Sequence, residues 1–258
     1  MKKISIAFFI ASMAICCGCS SSDESLNANQ DNNSQKTEQE EDPKGPDEEL
    51  PNVELSKDFQ DSWETGKYFC YASGKKHELQ INTRYVFVTS TNINAVVGSD
   101  ACSANPIDFG VKYDIKEVKE QPMKNLLDGK QIVYYWAELE LLEDLDEATY
   151  KKKIDQLRMS NNEIIVSPCF RISSSKKIGL SNFLSVKLKT ANDIAKLKAV
   201  AAKTKVTLLE GSANFPLWYI ISLTPQSEKN ALDMANWYHE SNLFQYAEPD
   251  LMEDALMK

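Results

Sequence analysis

The last third of the chain constrains the fold most, because its apolar spacing changes from strand-like to helix-like and back in a fixed order. Phe183 to Leu188 alternates apolar and polar residues, the period of a half-buried strand. Asp193 to Lys205 places Ile194, Leu197, Val200 and Ala201 at helical spacing. Val206 to Leu209 and Leu217 to Leu223 are two apolar runs joined by Glu210-Gly211-Ser212-Ala213-Asn214, a hairpin-type linker. Ser227 to Ser241 puts Leu232, Met234, Ala235 and Tyr238 on a second helix, and Leu243 to Ala247 is a last strand. The predicted order is βαββαβ.

That order is the ferredoxin-like module, an antiparallel sheet with both helices on one face. The middle of the chain repeats it loosely. Arg84 to Thr89 reads as a strand, Thr91 to Val97 as a short helix or loop, and Phe109 to Val118 and Gln131 to Leu142 as strands. Asp146 to Met159 is a helix with Asp146 as N-cap and Tyr150, Ile154 and Leu157 on one face. Glu163 to Phe170 is the closing strand. Both it and the final strand are expected to stop at a proline, Pro168 and Pro249, which has no N–H for a ladder. Ahead of them, Lys67 to Ile81 has aromatic residues leading into Ser73-Gly74, a hairpin signature. The predicted class is therefore α+β: tandem ferredoxin-like modules over 53–175 and 176–258, preceded by a β-hairpin. One longer sheet shared by both halves is the rival arrangement.

The front of the chain is of another kind. Lys2 and Lys3 precede Ile4 to Ile15, an apolar run shorter than the roughly 20 residues that span a bilayer. Residues 1–18 read as a signal peptide, and Gly18-Cys19 followed by Ser20-Ser21-Ser22-Asp23-Glu24 resembles a bacterial lipobox with diacylglycerol on Cys19. Cys16 stands where lipoboxes prefer Leu or Ile, which leaves Cys16 and Cys17 as alternative acceptors. Acidic residues just after the lipidated cysteine resemble a surface-export signal, so the expected location is the outer membrane, at the cell surface. Residues 19–52 are Ser-, Asn-, Gln- and acid-rich and nearly free of large apolar side chains, a composition too poor in apolar surface to offset chain entropy. Their acids far outnumber Lys36 and Lys44, so most of the net charge of −9 belongs to this linker. With no basic patch, nucleic acid is not an expected partner.

Catalytic signatures are missing from the sequence. It has two histidines, His77 and His239, and no Gly-x-Ser-x-Gly, His-Glu-x-x-His or phosphate-binding glycine loop. Each histidine reads as a surface or helix-end residue, and Cys169 with a histidine is a weak nucleophile pair. No enzyme activity, cofactor or metal is expected. Beyond Cys19 the thiols are Cys70, Cys102 and Cys169; outside the cytoplasm, Cys70–Cys102 is the first candidate disulfide, against three unpaired buried thiols. The acids from Glu138 to Glu147 read as a solvated turn running into a helix N-terminus, since a calcium loop needs a glycine bend. Tyr134-Tyr135-Trp136 and Leu217-Trp218-Tyr219 are packing residues or a carbohydrate platform.

Phe244-Gln245-Tyr246-Ala247-Glu248-Pro249-Asp250-Leu251 resembles the final strand of subtilisin-type protease propeptides, and Lys67 to Ile81 resembles the opening of the pro-regions of subtilase-family lipoproteins. No Asp-Ser-Gly, His-Gly-Thr or Gly-Thr-Ser-Met-Ala block of the catalytic half is present. In that family the propeptide sheet lies against surface helices of the protease, and the segment after its last strand occupies the cleft like a product. The resemblance implies a stand-alone, membrane-tethered propeptide that binds, inhibits or helps fold a subtilisin-like serine protease. It implies a partner-binding tail in which Glu248 and Asp250 face helix N-termini on the protease. Pro249 would end the strand, Leu251, Leu256 and Met257 would fill subsites, and Lys258 would carry the product-like carboxylate. The alternatives are a surface adhesion lipoprotein holding a glycan or protein, and a truncated protease pro-region without activity.

Overall fold

The computed structural model describes residues 50–57, 59–98, 107–173, 176–211 and 214–253. They belong to one compact unit. A short helix, α1 (Ser62–Thr65), leads into a two-stranded hairpin, β1 (Phe69–Ala72) and β2 (Lys75–Glu78). Ser73 and Gly74 at its tip both have positive φ, 51° and 73°, which suits the right-handed twist of a tight hairpin.

The first half follows as β3 (Gln80–Ser90), α2 (Ile93–Val97), β4 (Tyr113–Lys124), β5 (Gln131–Leu141), α3 (Glu147–Ser160) and β6 (Ile165–Ser173). The second half is β7 (Lys176–Lys187), a 3-10 turn (Ala191–Asp193), α4 (Ile194–Thr204), β8 (Thr207–Leu209), β9 (Trp218–Ser222), α5 (Ala231–Glu240) and β10 (Tyr246–Glu253). Local chemistry fixes the helix ends. Asp146 caps α3 by accepting the Thr149 N–H at 2.9 Å, and Asn230 caps α5 by accepting that of Asp233 at 2.9 Å. Lys205 closes α4 in the left-handed region at φ 57°.

The ten strands among the described residues pair antiparallel, in keeping with the α+β expectation. In the first half the order is β6-β3-β5-β4, and in the second it is β10-β7-β9-β8. Each half thus sets its first strand between its last and its third. The halves are continuous: β6 pairs with residues 176–179 of β7, β9 takes residues 183–187 on the same flank, and β10 lines the other flank. The sheet also returns on itself. Asn125, just past β4, bridges Leu209 of β8, with Leu126 N–H donating to the Leu208 carbonyl at 2.9 Å and Glu210 N–H to that of Lys124 at 2.8 Å.

One sheet face carries the main core. Val86, Val88, Leu139 and Val166 pack with Tyr150 and Ile154 of α3, and Leu184 and Val186 with Leu232 and Ala235 of α5. The buried Tyr150 hydroxyl pins α3 to two strands, donating to the Tyr85 carbonyl at 2.7 Å and accepting the Cys169 N–H at 3.1 Å. On the opposite face Tyr134, Phe183 and Leu209 form a second cluster that joins the halves, with the Tyr134 ring edge-on to Phe183 at 5.1 Å.

Two expectations need correction. Neither proline ends its strand: β6 runs through Pro168 to Ser173, and β10 through Pro249 to Glu253. Each proline has one open flank. Pro168 lies just before the β6–β7 ladder begins at Cys169, and β10 pairs only with β7. A strand open on one side accommodates a residue without an N–H. The strand expected from Phe109 begins at Tyr113 instead, while Phe109 is buried in the loop before it.

Candidate functional site

The surface singled out by sequence is the end of the chain, and β10 sets its geometry. Tyr246 to Pro249 pair with Lys187 to Leu184 in regular register, and a bulge follows, so that Leu251 opposes Leu180. At the bulge the Asp250 carboxylate turns inward and accepts from the Ser181 hydroxyl at 2.8 Å. Enclosure without a cation pushes its pKa up, and the Ser181 hydrogen bond only partly opposes this. Pro249 is buried and Leu251 is half-buried against the core. The Glu248 carboxylate accepts the Ser73 N–H at the hairpin tip at 2.6 Å. Its pKa is raised by burial, with the Ser73 bond and the nearby His77 pulling the other way.

Glu248, Pro249, Asp250 and Leu251 are thus committed to partners within the chain. That corrects the picture of a strand that ends at Pro249 and a free tail from Asp250 onward. Leu256, Met257 and Lys258 lie outside the described residues, as do Cys19 and Cys102.

What this end of the molecule does present is a row across three strands. Lys187 is the register partner of Trp218 on β9 and of Tyr246 on β10. The two rings are nearly parallel, 13° apart in plane with centres 6.3 Å apart, and the ammonium lies 5.8 Å from one centre and 5.6 Å from the other. All three side chains are half-exposed, and Lys187 has no carboxylate partner among the described residues. The row is on the same face as the Tyr134–Phe183–Leu209 cluster, because Lys187 and Phe183 are separated by an even number of strand positions. The first half therefore covers one end of that face and leaves the other open. Sequence reasoning found Trp218 but missed Tyr246 and Lys187, because register across three strands is not written in local periodicity. Tyr134, taken with Trp136 as a possible platform, is buried inside the joint between halves.

Among the described residues, the thiols and imidazoles do not gather into one site. Cys70 and His77 are cross-strand neighbours in the hairpin. The Cys70 thiol is buried, and burial followed by the charge of Glu248 pushes its pKa up to about 11. Burial pushes Cys169 up to about 12, and its thiol lies 3.3 Å from the Ile178 carbonyl. Both are free thiols in the resting, protonated form. His239, in the last turn of α5, stacks on Tyr71 with ring centres 3.9 Å apart, and burial lowers its pKa. The Tyr71 hydroxyl donates to Glu240 at 3.1 Å. No group of three or more metal-ligating side chains occurs among the described residues, and no helix among them is long and apolar enough to cross a membrane.

No family model, curated protein or solved structure matches the chain.

Proposed function

We propose that this chain is a non-catalytic binding protein whose second half is a ferredoxin-like, propeptide-type module that engages a subtilisin-like serine protease, inhibiting it or assisting its folding. The observation that carries the reading is the strand order β10-β7-β9-β8 with α4 and α5 as its crossovers. It is the order of a βαββαβ unit, and residues 246–251 of the propeptide-like segment fall on its last strand. The first half has the same order, β6-β3-β5-β4, which supports a tandem of two such units. Lipid on Cys19 would tether the protein to the outer membrane at the cell surface, with the acidic linker as spacer.

The commitment of Glu248 to the hairpin tip and of Asp250 to Ser181 revises how the partner would be held. The segment entering a protease cleft would be 254–258, adding to an edge by backbone pairing, with Leu256 and Met257 filling subsites. The open part of the sheet face, around Trp218, Lys187 and Tyr246, would supply the second contact. The test is the lipid-free chain from Ser20 titrated into a panel of subtilisins. Inhibition that weakens when 254–258 are deleted, with unchanged thermal unfolding, supports the reading; no slowing at micromolar protein overturns it.

A second reading, an adhesion lipoprotein holding a glycan, rests on the same aromatic row. Indole and phenol faces pack against sugar C–H groups, and Lys187 would recognise an acidic sugar. Glycan-dependent quenching of Trp218 fluorescence, absent in Trp218→Phe, favours it over protease binding.

A further inference from the structure

The segment leading into β1 crosses all three long helices. The Val53 carbonyl accepts from Lys203 of α4 at 3.1 Å, and the Ser56 carbonyl accepts from the Trp237 indole N–H of α5 at 2.8 Å. Trp63 reaches α3, where its indole N–H donates to Asp155 at 2.8 Å and its carbonyl accepts from Lys151. Val53, Leu55 and Trp63 are buried, so the segment is a strap packed on the helix layer.

Two carboxylates fasten it. Asp233, in the first turn of α5, is 0% exposed. One of its oxygens accepts the Ser62 N–H at 2.8 Å and the Ser62 hydroxyl at 2.6 Å. The other accepts the Trp63 N–H at 3.1 Å and the Asn230 side-chain N–H at 3.0 Å. Asp61, the N-cap of α1, accepts that same Trp63 N–H at 2.9 Å and pairs with Lys229 at 3.1 Å. An oxygen from each carboxylate thus converges on a single N–H, with Asp233 fully buried and Asp61 mostly so. Two negative charges so placed repel strongly, and one proton between them removes the repulsion. The surrounding charges decide where it resides. Lys229 serves Asp61, whereas Asp233 has only neutral donors in direct contact. From α3 the cluster is faced by Arg158, Asp155, Lys151 and Glu147; Lys151 is bound to the Trp63 carbonyl and Glu147 to the Tyr68 hydroxyl.

We propose that Asp61 and Asp233 are a proton-sharing clasp that holds the strap on the helices in mild acid and loosens its grip as the shared proton is lost. The inference does not depend on the protease reading. It adds a control point to the fold, because the strap runs through Gly66 straight into the hairpin whose tip is bonded to Glu248 of β10.

Burial and the neighbouring Asp61 push Asp233 up to about 6, while burial of Asp61 is outweighed by its hydrogen bond with Asp233, then by Lys229 and the Trp63 N–H, which together hold it down. A carboxyl raised on folding contributes stability that is complete below its unfolded pKa and is lost as pH rises through the folded value. The clasp therefore weakens as pH rises from the ordinary carboxyl range, about 4, and the loss is nearly complete once pH passes about 6.

Hydrogen exchange at Ser62 and Trp63 in the lipid-free chain, corrected for intrinsic rates, reads the grip directly. Protection at these amides is expected to fall about tenfold between pH 4.5 and pH 6 and to level off above that, while the amides of β5 stay unchanged. Asp233→Asn supplies a permanent donor toward Asp61 and should flatten the profile at its acid level. If that variant fails to fold, Asp61→Asn, which removes the repulsion from the other side, should flatten it too. Protection in the wild-type chain that is constant or rises over this range overturns the proposal. So does a variant whose profile is as steep as wild type, which would leave the pair as ordinary capping groups.

Discussion

Gly179 of β7 lies beneath the ring of Phe87 of β3, although β6 runs between the two strands. A Cβ at Gly179 would sit 2.4 Å from the tip of that ring. The absence of a side chain lets Phe87 reach diagonally across Cys169, the register partner of Gly179, just where the first half of the sheet passes into the second. Gly179→Ala must displace the ring or part the strands, and a loss of about 1–3 kcal/mol is expected from overpacking. Phe87→Leu in the same chain should recover part of it. Denaturant midpoints of the two single variants and the double variant check this; strictly additive losses would contradict the contact.

The Asp250 carboxylate is enclosed with the Ser181 hydroxyl as its donor and a raised pKa. A raised value means that its contribution to stability is complete in acid and declines as pH rises through the folded pKa. Asp250→Asn keeps an acceptor for Ser181 and removes that decline. The variant is expected to match wild type near pH 4 and to be the more stable of the two at pH 8. Thermal unfolding across that range measures it, and a variant that loses stability at pH 8 would show that the charge is needed.

Cys70 and Cys169, with thiols pushed up to about 11 and about 12, should resist alkylation in the native protein at pH 8 and react on unfolding. Peptide mapping after iodoacetamide separates the outcomes. Rapid native labelling of Cys169 would reveal an opening at the β6–β7 junction. Protection of Cys70 that persists in denaturant until reductant is added would establish the Cys70–Cys102 disulfide.

These contrasts show which parts of the molecule local sequence encodes. The helices containing Tyr150, Leu197 and Met234 were legible, because apolar periodicity and the polar linkers agree, with Asp146 as the cap of the first; the second-half helix expected from Ser227 starts at Ala231, where Asn230 caps it. The hairpin at Ser73-Gly74 was legible from its turn residues. Pro168 and Pro249 misled, because whether a proline stops a strand depends on what lies on its flank, and flanks are set by distant segments. The bridge from Asn125 to Leu209 and the row from Trp218 through Lys187 to Tyr246 are non-local for the same reason. The strap was invisible: α1 has four residues, too few for periodicity, and nothing near Asp233 in sequence reveals that its carboxylate meets Ser62.

The most direct measurement of the central claim is the inhibition constant of the lipid-free chain against subtilisin-like proteases, with and without 254–258. The account predicts binding at micromolar protein or tighter, weakened at least tenfold by the deletion while the unfolding temperature stays the same, since β10 already ends at Glu253. Full protease activity at every concentration, or inhibition indifferent to the deletion, would contradict it.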